Sequence, residues 1–173
     1  RRLRTHGVMM GMIAVGASPE AALARLREYP SYGDTDFVRR VSTPEPYEWT
    51  QLSPGARPSE TTRKILVDDY GLKYNILRIL RAKGCRVMAL PVHASTRDIL
   101  ALKPDGIVLS PGPGDPALLD YVVETARVLV GQVPMIGICL GHQLIARALG
   151  GSTFKLKFGH HGANHHVREV QTG

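Results

Sequence analysis

The stretch Gly137-Ile138-Cys139-Leu140-Gly141-His142-Gln143 sets a cysteine midway between two glycines. An apolar run from Val133 to Ile138 precedes it, and a helix-forming segment from Gln143 to Leu149 follows before Gly150-Gly151. A strand running through a sharp turn into a helix, with the reactive side chain at the turn, is a nucleophile elbow. The flanking glycines belong to that geometry, because the turn brings neighbouring backbone too close for side chains. A sulfur placed there stands at a sheet edge and at a helix N-terminus, a setting that favours the thiolate that attacks carbonyl carbon. A free cysteine is more commonly a small buried apolar residue. That plainer role explains neither the glycines nor the setting of Cys139, but it suits Cys85, which opens an apolar run after Gly84.

A thiolate attacking a carbonyl needs donors for the oxyanion that develops. The N–H of Leu140, directly after the nucleophile, is one candidate. Gly112 supplies the other, from the loop Ser110-Pro111-Gly112-Pro113-Gly114-Asp115-Pro116. Gly112 and Gly114 let backbone approach a substrate closely, while Pro111 and Pro113 stiffen the loop; taken alone, this loop would be read as a rigid turn. Gln143 lies one helical turn beyond Cys139 and can face the same pocket.

These residues need a scaffold, and the pattern around them provides it. Apolar runs at Lys64–Val67, Cys85–Pro91, Ile107–Leu109 and Pro134–Ile138 read as strands that are apolar throughout. They alternate with helices at Asn75–Lys83, from a Ser95 or Thr96 cap to Leu102, and at Ala117–Val130. This rhythm predicts an α/β fold, a parallel sheet with helices on both faces, whose chemistry gathers beyond the carboxyl ends of the strands. Gly112, Gly114 and Cys139 all fall at such ends. Upstream, Ser18-Pro19 starts a helix to Tyr29 with Ala22, Leu23 and Leu26 on one face. A short helix covers Asp36–Val41. Residues 43–62 hold four prolines and read as a linker, so a domain boundary is expected at residue 62.

Composition sets the outer bounds. The chain has 173 residues, 43% hydrophobic and 21% charged, which excludes disorder, collagen-like structure and a disulfide scaffold. Two cysteines allow one bridge at most, so a reducing cytoplasm is the simpler expectation. The net charge of +7 is spread along the chain without aromatic interleaving, which argues against nucleic acid as a partner. No apolar run reaches membrane-span length, so no membrane partner is expected either. The chain opens at Arg1-Arg2 without methionine and stops at Gln171-Thr172-Gly173, and both ends read as cut.

The elbow Gly-Ile-Cys-Leu-Gly-His-Gln together with Ser-Pro-Gly-Pro-Gly-Asp-Pro resembles the class I, or triad, glutamine amidotransferases. Three further stretches resemble the small subunits of glutamine-dependent carbamoyl-phosphate synthetases. They are residues 69–77 (Asp-Tyr-Gly-Leu-Lys-Tyr-Asn-Ile-Leu), residues 157–165 (Lys-Phe-Gly-His-His-Gly-Ala-Asn-His) and residues 44–49 (Pro-Glu-Pro-Tyr-Glu-Trp). Gly7-Val8-Met9 and Gly11-Met12-Ile13 are similar to the end of that subunit's N-terminal domain. The resemblance implies a flavodoxin-like amidotransferase domain over residues 63–173, cut short. Residues 1–62 would be the remainder of the N-terminal domain plus linker. It implies Cys139 as nucleophile, Gly112, Gly114, Leu140 and Gln143 as glutamine-binding positions, and Gly112 with Leu140 as the oxyanion pair. Ammonia would pass to a large subunit that uses ATP, with Mg, and bicarbonate to make carbamoyl phosphate for arginine and pyrimidine synthesis. This chain would hold no cofactor and no metal.

The chain departs from the family pattern in instructive ways. The triad needs a His-x-Glu pair as base and orienting group. None of His6, His93, His142, His160, His161, His165 and His166 is followed two positions later by Glu. The family places that pair beyond residue 173 and draws a glutamine-binding serine from upstream, so this polypeptide alone is expected to be inactive. His166 stands where the family has proline. The cluster His160-His161-x3-His165-His166 lacks acidic or cysteine companions and is read as structural rather than metal-binding. His142, at i+3 from the nucleophile, is expected to turn into packing. Other readings stay open: another class I amidotransferase, an elbow-type cysteine hydrolase with His142 or His160 as base, and a catalytically incomplete binding module that acts through its partner alone.

Overall fold

The computed structural model describes residues 5, 7, 9–52, 54–55, 63–159, 166 and 168–172. They fall into two compact units, residues 31–153 and residues 1–30 with 154–173. In the smaller unit, helix α1 runs Pro19–Arg27. Ser18 caps it, its Oγ accepting from the Ala21 N–H at 3.2 Å, and Pro19 occupies the first turn. The helix stops two residues before the expected Tyr29, and none of its residues is buried. Its apolar face is therefore less covered than periodicity suggests, with Leu23 exposed.

The larger unit carries one five-stranded sheet: β1 Tyr47–Trp49, β2 Lys64–Asp69, β3 Arg86–Pro91, β4 Gly106–Leu109 and β5 Met135–Gly137. Their spatial order is β1-β3-β2-β4-β5, and all neighbours are parallel except β1 with β3. Taken alone, the parallel strands follow the doubly wound, flavodoxin-like order, with its switch point between β2 and β4. The expected parallel sheet is therefore present, with one antiparallel edge strand, β1, added to it. Tyr47 and Trp49 alternate with exposed Glu48 and pair antiparallel to Ala89 and Val87. Their position between the prolines of the linker hid them, yet proline is tolerated just before an edge strand. β1 and the short helix α2 (Val38–Val41), whose Val38 is fully buried in the core, both belong to this unit.

The pleat sorts side chains by period two. Leu66, Leu90, Ile107 and Leu109 pack on one face with α4 (Thr96–Ala101), α5 (Asp120–Leu129) and α6 (Leu140–Ala148). Val67, Val87 and Val108 pack on the other with Leu77 of α3 (Tyr74–Ala82). Helices on both faces are as expected. α5 begins later than predicted, because Asp115 caps a separate turn at Pro116–Leu118, its Oδ1 accepting from the Ala117 N–H at 2.9 Å.

One row across the first face breaks the apolar rule. Registered side by side, Leu90, Asp68, Leu109 and Gly137 span β3 to β5. Asp68 is 4% exposed; its Oδ2 accepts from Tyr70 Oη at 3.2 Å, and its Oδ1 has no hydrogen-bond partner among the described residues. Burial, the larger effect, pushes this carboxyl up from an ordinary 3.8 to about 7, against the Tyr70 hydrogen bond, which lowers it. The folded chain then holds a proton that the unfolded chain has released across that whole interval, so stability falls as pH rises through it. Relative to Asp68→Asn, the wild-type chain should lose about 2 kcal/mol between about pH 5 and about pH 8. Denaturant unfolding of both chains at the two pH values checks this; parallel losses would refute it.

Candidate active site

The elbow is built from two close approaches. A side chain on Gly137 would overlap the backbone of Gly141 and His142, and one on Gly141 would overlap the Leu109 carbonyl. The first turn of α6 is therefore seated on the end of β4, where the Leu109 carbonyl also accepts from the Ile138 N–H at 3.0 Å. Between these anchors Cys139 is forced to φ 55°, ψ −110°, as the N-cap of α6. A non-glycine residue in that region carries about 1–3 kcal/mol of strain, held there by the surrounding packing. The thiol is exposed. α6 starts at Leu140 rather than at the expected Gln143.

The loop of Gly112, expected to supply an oxyanion donor, meets the elbow directly. A Cβ on Gly112 would lie 2.8 Å from Leu140 Cδ2 and would overlap the Tyr70 carbonyl oxygen. Gly112 and Leu140, the two expected donors, are thus neighbours. Leu140 opens α6, so its N–H has no acceptor within the helix. Gln143 is half-buried one turn along, its N–H donating to the Cys139 carbonyl at 3.2 Å. Gly114 differs: at φ 97° its N–H donates to Tyr32 Oη at 3.2 Å, so it shapes the loop without offering a free donor. His142 is exposed, contrary to the expectation that it would turn into packing, because the early start of α6 points Leu140 and Leu144 inward instead. Cys85 is half-buried beside the Val67 and Val87 cluster, as its core role requires. His160, His161 and His165 lie outside the described residues; His166 is described and exposed.

Sequence reasoning missed what holds the loop. Tyr70 donates its N–H to Ser110 Oγ at 2.9 Å, and that hydroxyl donates to the Pro111 carbonyl at 2.9 Å. Asp69 Oδ1 accepts from the N–H groups of Gly71 and Leu72, both at 2.9 Å, and its Oδ2 accepts from the Thr43 N–H at 3.1 Å. Two adjacent aspartates closing an apolar strand were the available signal. Beyond the end of β3, a cavity of about 310 Å³ is lined by Arg39, Ser42, Thr43, Val92, His93 and Tyr121, and Cys139 is not among its lining residues.

Cys139 thus holds a strained backbone conformation at the carboxyl edge of a doubly wound sheet, with the Gly112 loop packed against the start of α6. Residues 65–173 match the class-I glutamine amidotransferase family, and the chain belongs to it. Its relatives narrow the comparison. The chain is 43% identical over 182 residues to the carbamoyl phosphate synthase small chain of Escherichia coli K12, covering 99% of this chain and 48% of that protein. It is 44% identical over 177 residues to the protein of that name from Akkermansia muciniphila, covering 100% of this chain and 47% of the relative. A third, from Pseudomonas syringae pv. tomato, is 44% identical over 184 residues, 100% of this chain and 49% of the relative. The chain therefore spans about half the length of the curated relatives it matches.

Two substitutions test the elbow. Glycine adopts positive φ freely while alanine does not. Cys139→Gly should therefore be more stable than Cys139→Ala by about 1 kcal/mol in denaturant unfolding. Equal stabilities would show the backbone there to be relaxed. Gly141→Ala drives a methyl into the Leu109 carbonyl and should cost about 3 kcal/mol. Gly131→Ala, where a Cβ meets nothing within 4 Å, should cost about 1 kcal/mol from its positive φ alone. Similar losses at both positions would remove the case for close contact.

Proposed function

We propose that this chain is the nucleophile-bearing part of a carbamoyl-phosphate synthetase small subunit, hydrolysing glutamine to supply ammonia. The observation that carries the reading is the strained Cys139 elbow with the Gly112 loop seated against Leu140. Likeness over essentially the whole chain to proteins named carbamoyl phosphate synthase small chain supports the particular subunit.

In this reading the Cys139 thiolate attacks the side-chain amide carbon of glutamine. The N–H groups of Gly112 and Leu140 take up the negative charge on the former carbonyl oxygen, each such donor contributing about a hundredfold or more. Gln143 binds the polar end of the substrate, and Gly114 shapes the loop around it. The C–N bond breaks, the leaving nitrogen is protonated to ammonia, and a glutamyl thioester remains on sulfur. Water then attacks the thioester, releasing glutamate and restoring the thiol. Proton transfers in both halves require a base, and no histidine in these 173 residues belongs to a His-x-Glu pair. Ammonia goes to a large subunit, which consumes ATP and bicarbonate to form carbamoyl phosphate for arginine and pyrimidine synthesis. Two free cysteines, Cys85 and Cys139, suit the reducing cytoplasm in which such a heterodimer would work. Residues 63–173 would be the amidotransferase part, and residues 1–62 the remainder of an N-terminal domain with its linker.

A chloroketone analogue of glutamine separates this reading from its rivals. Mass spectrometry should find the label on Cys139, with free glutamine slowing the reaction, and Cys85 unmodified. Label on Cys85 alone, or no protection by glutamine, would refute it. Glutamine hydrolysis by the 173-residue polypeptide itself should stay near background; turnover at the rate of an intact synthetase would show that a histidine already present serves as base.

A further inference from the structure

Asp68 is a buried carboxyl that the steps above do not use. It lies in the same cross-sheet row as Leu109 and Gly137, and so is registered beside the residue on which the elbow rests. Its bonded oxygen accepts from Tyr70 Oη at 3.2 Å, fixing a tyrosine that is 2% exposed. The backbone of Tyr70 is in turn the floor of the oxyanion loop. Its N–H is held by Ser110 Oγ, its carbonyl lies where a Gly112 side chain would go, and the next residue, Gly71, approaches Pro113 Cδ and Gly112 Cα. Ser110 is fully buried, and its N–H donates to the Asp68 carbonyl at 3.2 Å. The two loops that end β2 and β4 are therefore interlocked through one polar cluster on the switch-point strands.

We propose that Asp68 is a positioning residue for the oxyanion loop, acting through Tyr70 and Ser110 to hold the Gly112 N–H where it meets substrate at Cys139. This rests on the glutaminase reading and adds a residue to its machinery. Asp68 touches no reacting atom. A buried carboxyl beside two leucines costs stability, and its retention is explained if the hydroxyl it anchors sets the loop. Titratable groups around it are few. Tyr70 donates to it from just past the end of β2, and Tyr121 of α5 acts on Tyr70 in turn. Burial and the neighbouring carboxylate both raise the Tyr70 phenol, so it remains the donor. Ionising Asp68 strengthens this bond while placing an uncompensated charge in the core, so loop geometry and pH are linked.

The test compares two reagents on Cys139 of the 173-residue chain. A chloroketone analogue of glutamine needs the oxyanion donors, whereas iodoacetamide reports only thiol access. Asp68→Ala should slow labelling by the analogue about tenfold while leaving iodoacetamide within about twofold. Asp68→Asn, which still accepts from Tyr70, should restore the rate and flatten the pH dependence of the ratio between reagents near neutrality. Tyr70→Phe keeps the ring and removes the hydroxyl; it should reproduce the selective loss if Asp68→Ala does not fold. Equal slowing of both reagents would mean a merely structural role and would overturn the proposal. So would a Tyr70→Phe chain that discriminates as well as wild type. A wild-type chain that itself fails to prefer the analogue would instead sink the glutaminase reading, and this inference with it.

Discussion

The first turn of α6 lies on the carbonyl end of β4, and the site follows from that contact. Gly141 makes it possible, since any side chain there would overlap the Leu109 carbonyl. Once the helix is seated so low, the chain between β5 and α6 has too little length for an ordinary turn. Cys139 takes up the difference at φ 55°. The strain of about 1–3 kcal/mol is outweighed by the same docking, which buries Leu140, Leu144 and Ala148 in the core. Each fully buried leucine contributes about 1.5–3 kcal/mol, so two suffice. The helix that positions Cys139 also supplies the stability that lets its backbone remain strained.

The second constraint is polar and lies one strand over. Asp68, Asp69 and Ser110 stand at the ends of β2 and β4, where both sheet faces are otherwise apolar. Such departures from local rules are expected where function requires them. Asp69 is fully used: its two oxygens take three backbone N–H groups and bend the chain after β2. Ser110 is used twice, once as acceptor and once as donor. Asp68 leaves one oxygen unmatched among the described residues. The cluster stabilises loop shape more than it stabilises the fold, because its cost is borne in the core and its bonds all end at the sheet's carboxyl edge.

The elbow was legible from sequence because its determinants are local. Two glycines, a cysteine and a preceding apolar run lie within nine residues, and steric exclusion at that range leaves one arrangement. The parallel strands were legible for a related reason, since apolar runs of their length alternating with helices admit few topologies. Strand β1 was not, because three residues between prolines carry a pattern too short to read, and its pairing with β3 joins Tyr47 to Ala89 across 42 positions. The late start of α5 was hidden by Asp115, whose side chain caps a separate turn before the helix. The outward direction of His142 depended on where α6 begins, and that is set by Cys139's strained backbone rather than by helix propensity. The Tyr70–Ser110 bond spans 40 residues, and no local pattern specifies it.

The groups at the sheet edge divide by how they are held. Cys139, the Gly112 loop and the polar cluster beneath it all arise from residues 68–148, fixed by contacts to β2, β4 and β5. Leu140 and Gly112 contribute backbone to this edge, Asp68 is walled off at 4% exposure, and His142 stands exposed three residues beyond Cys139. Cys139 is exposed, so its thiol can be reached without disturbing the elbow. The backbone of this edge is rigid because every part of it is anchored to the sheet, while the sulfur it presents stays accessible.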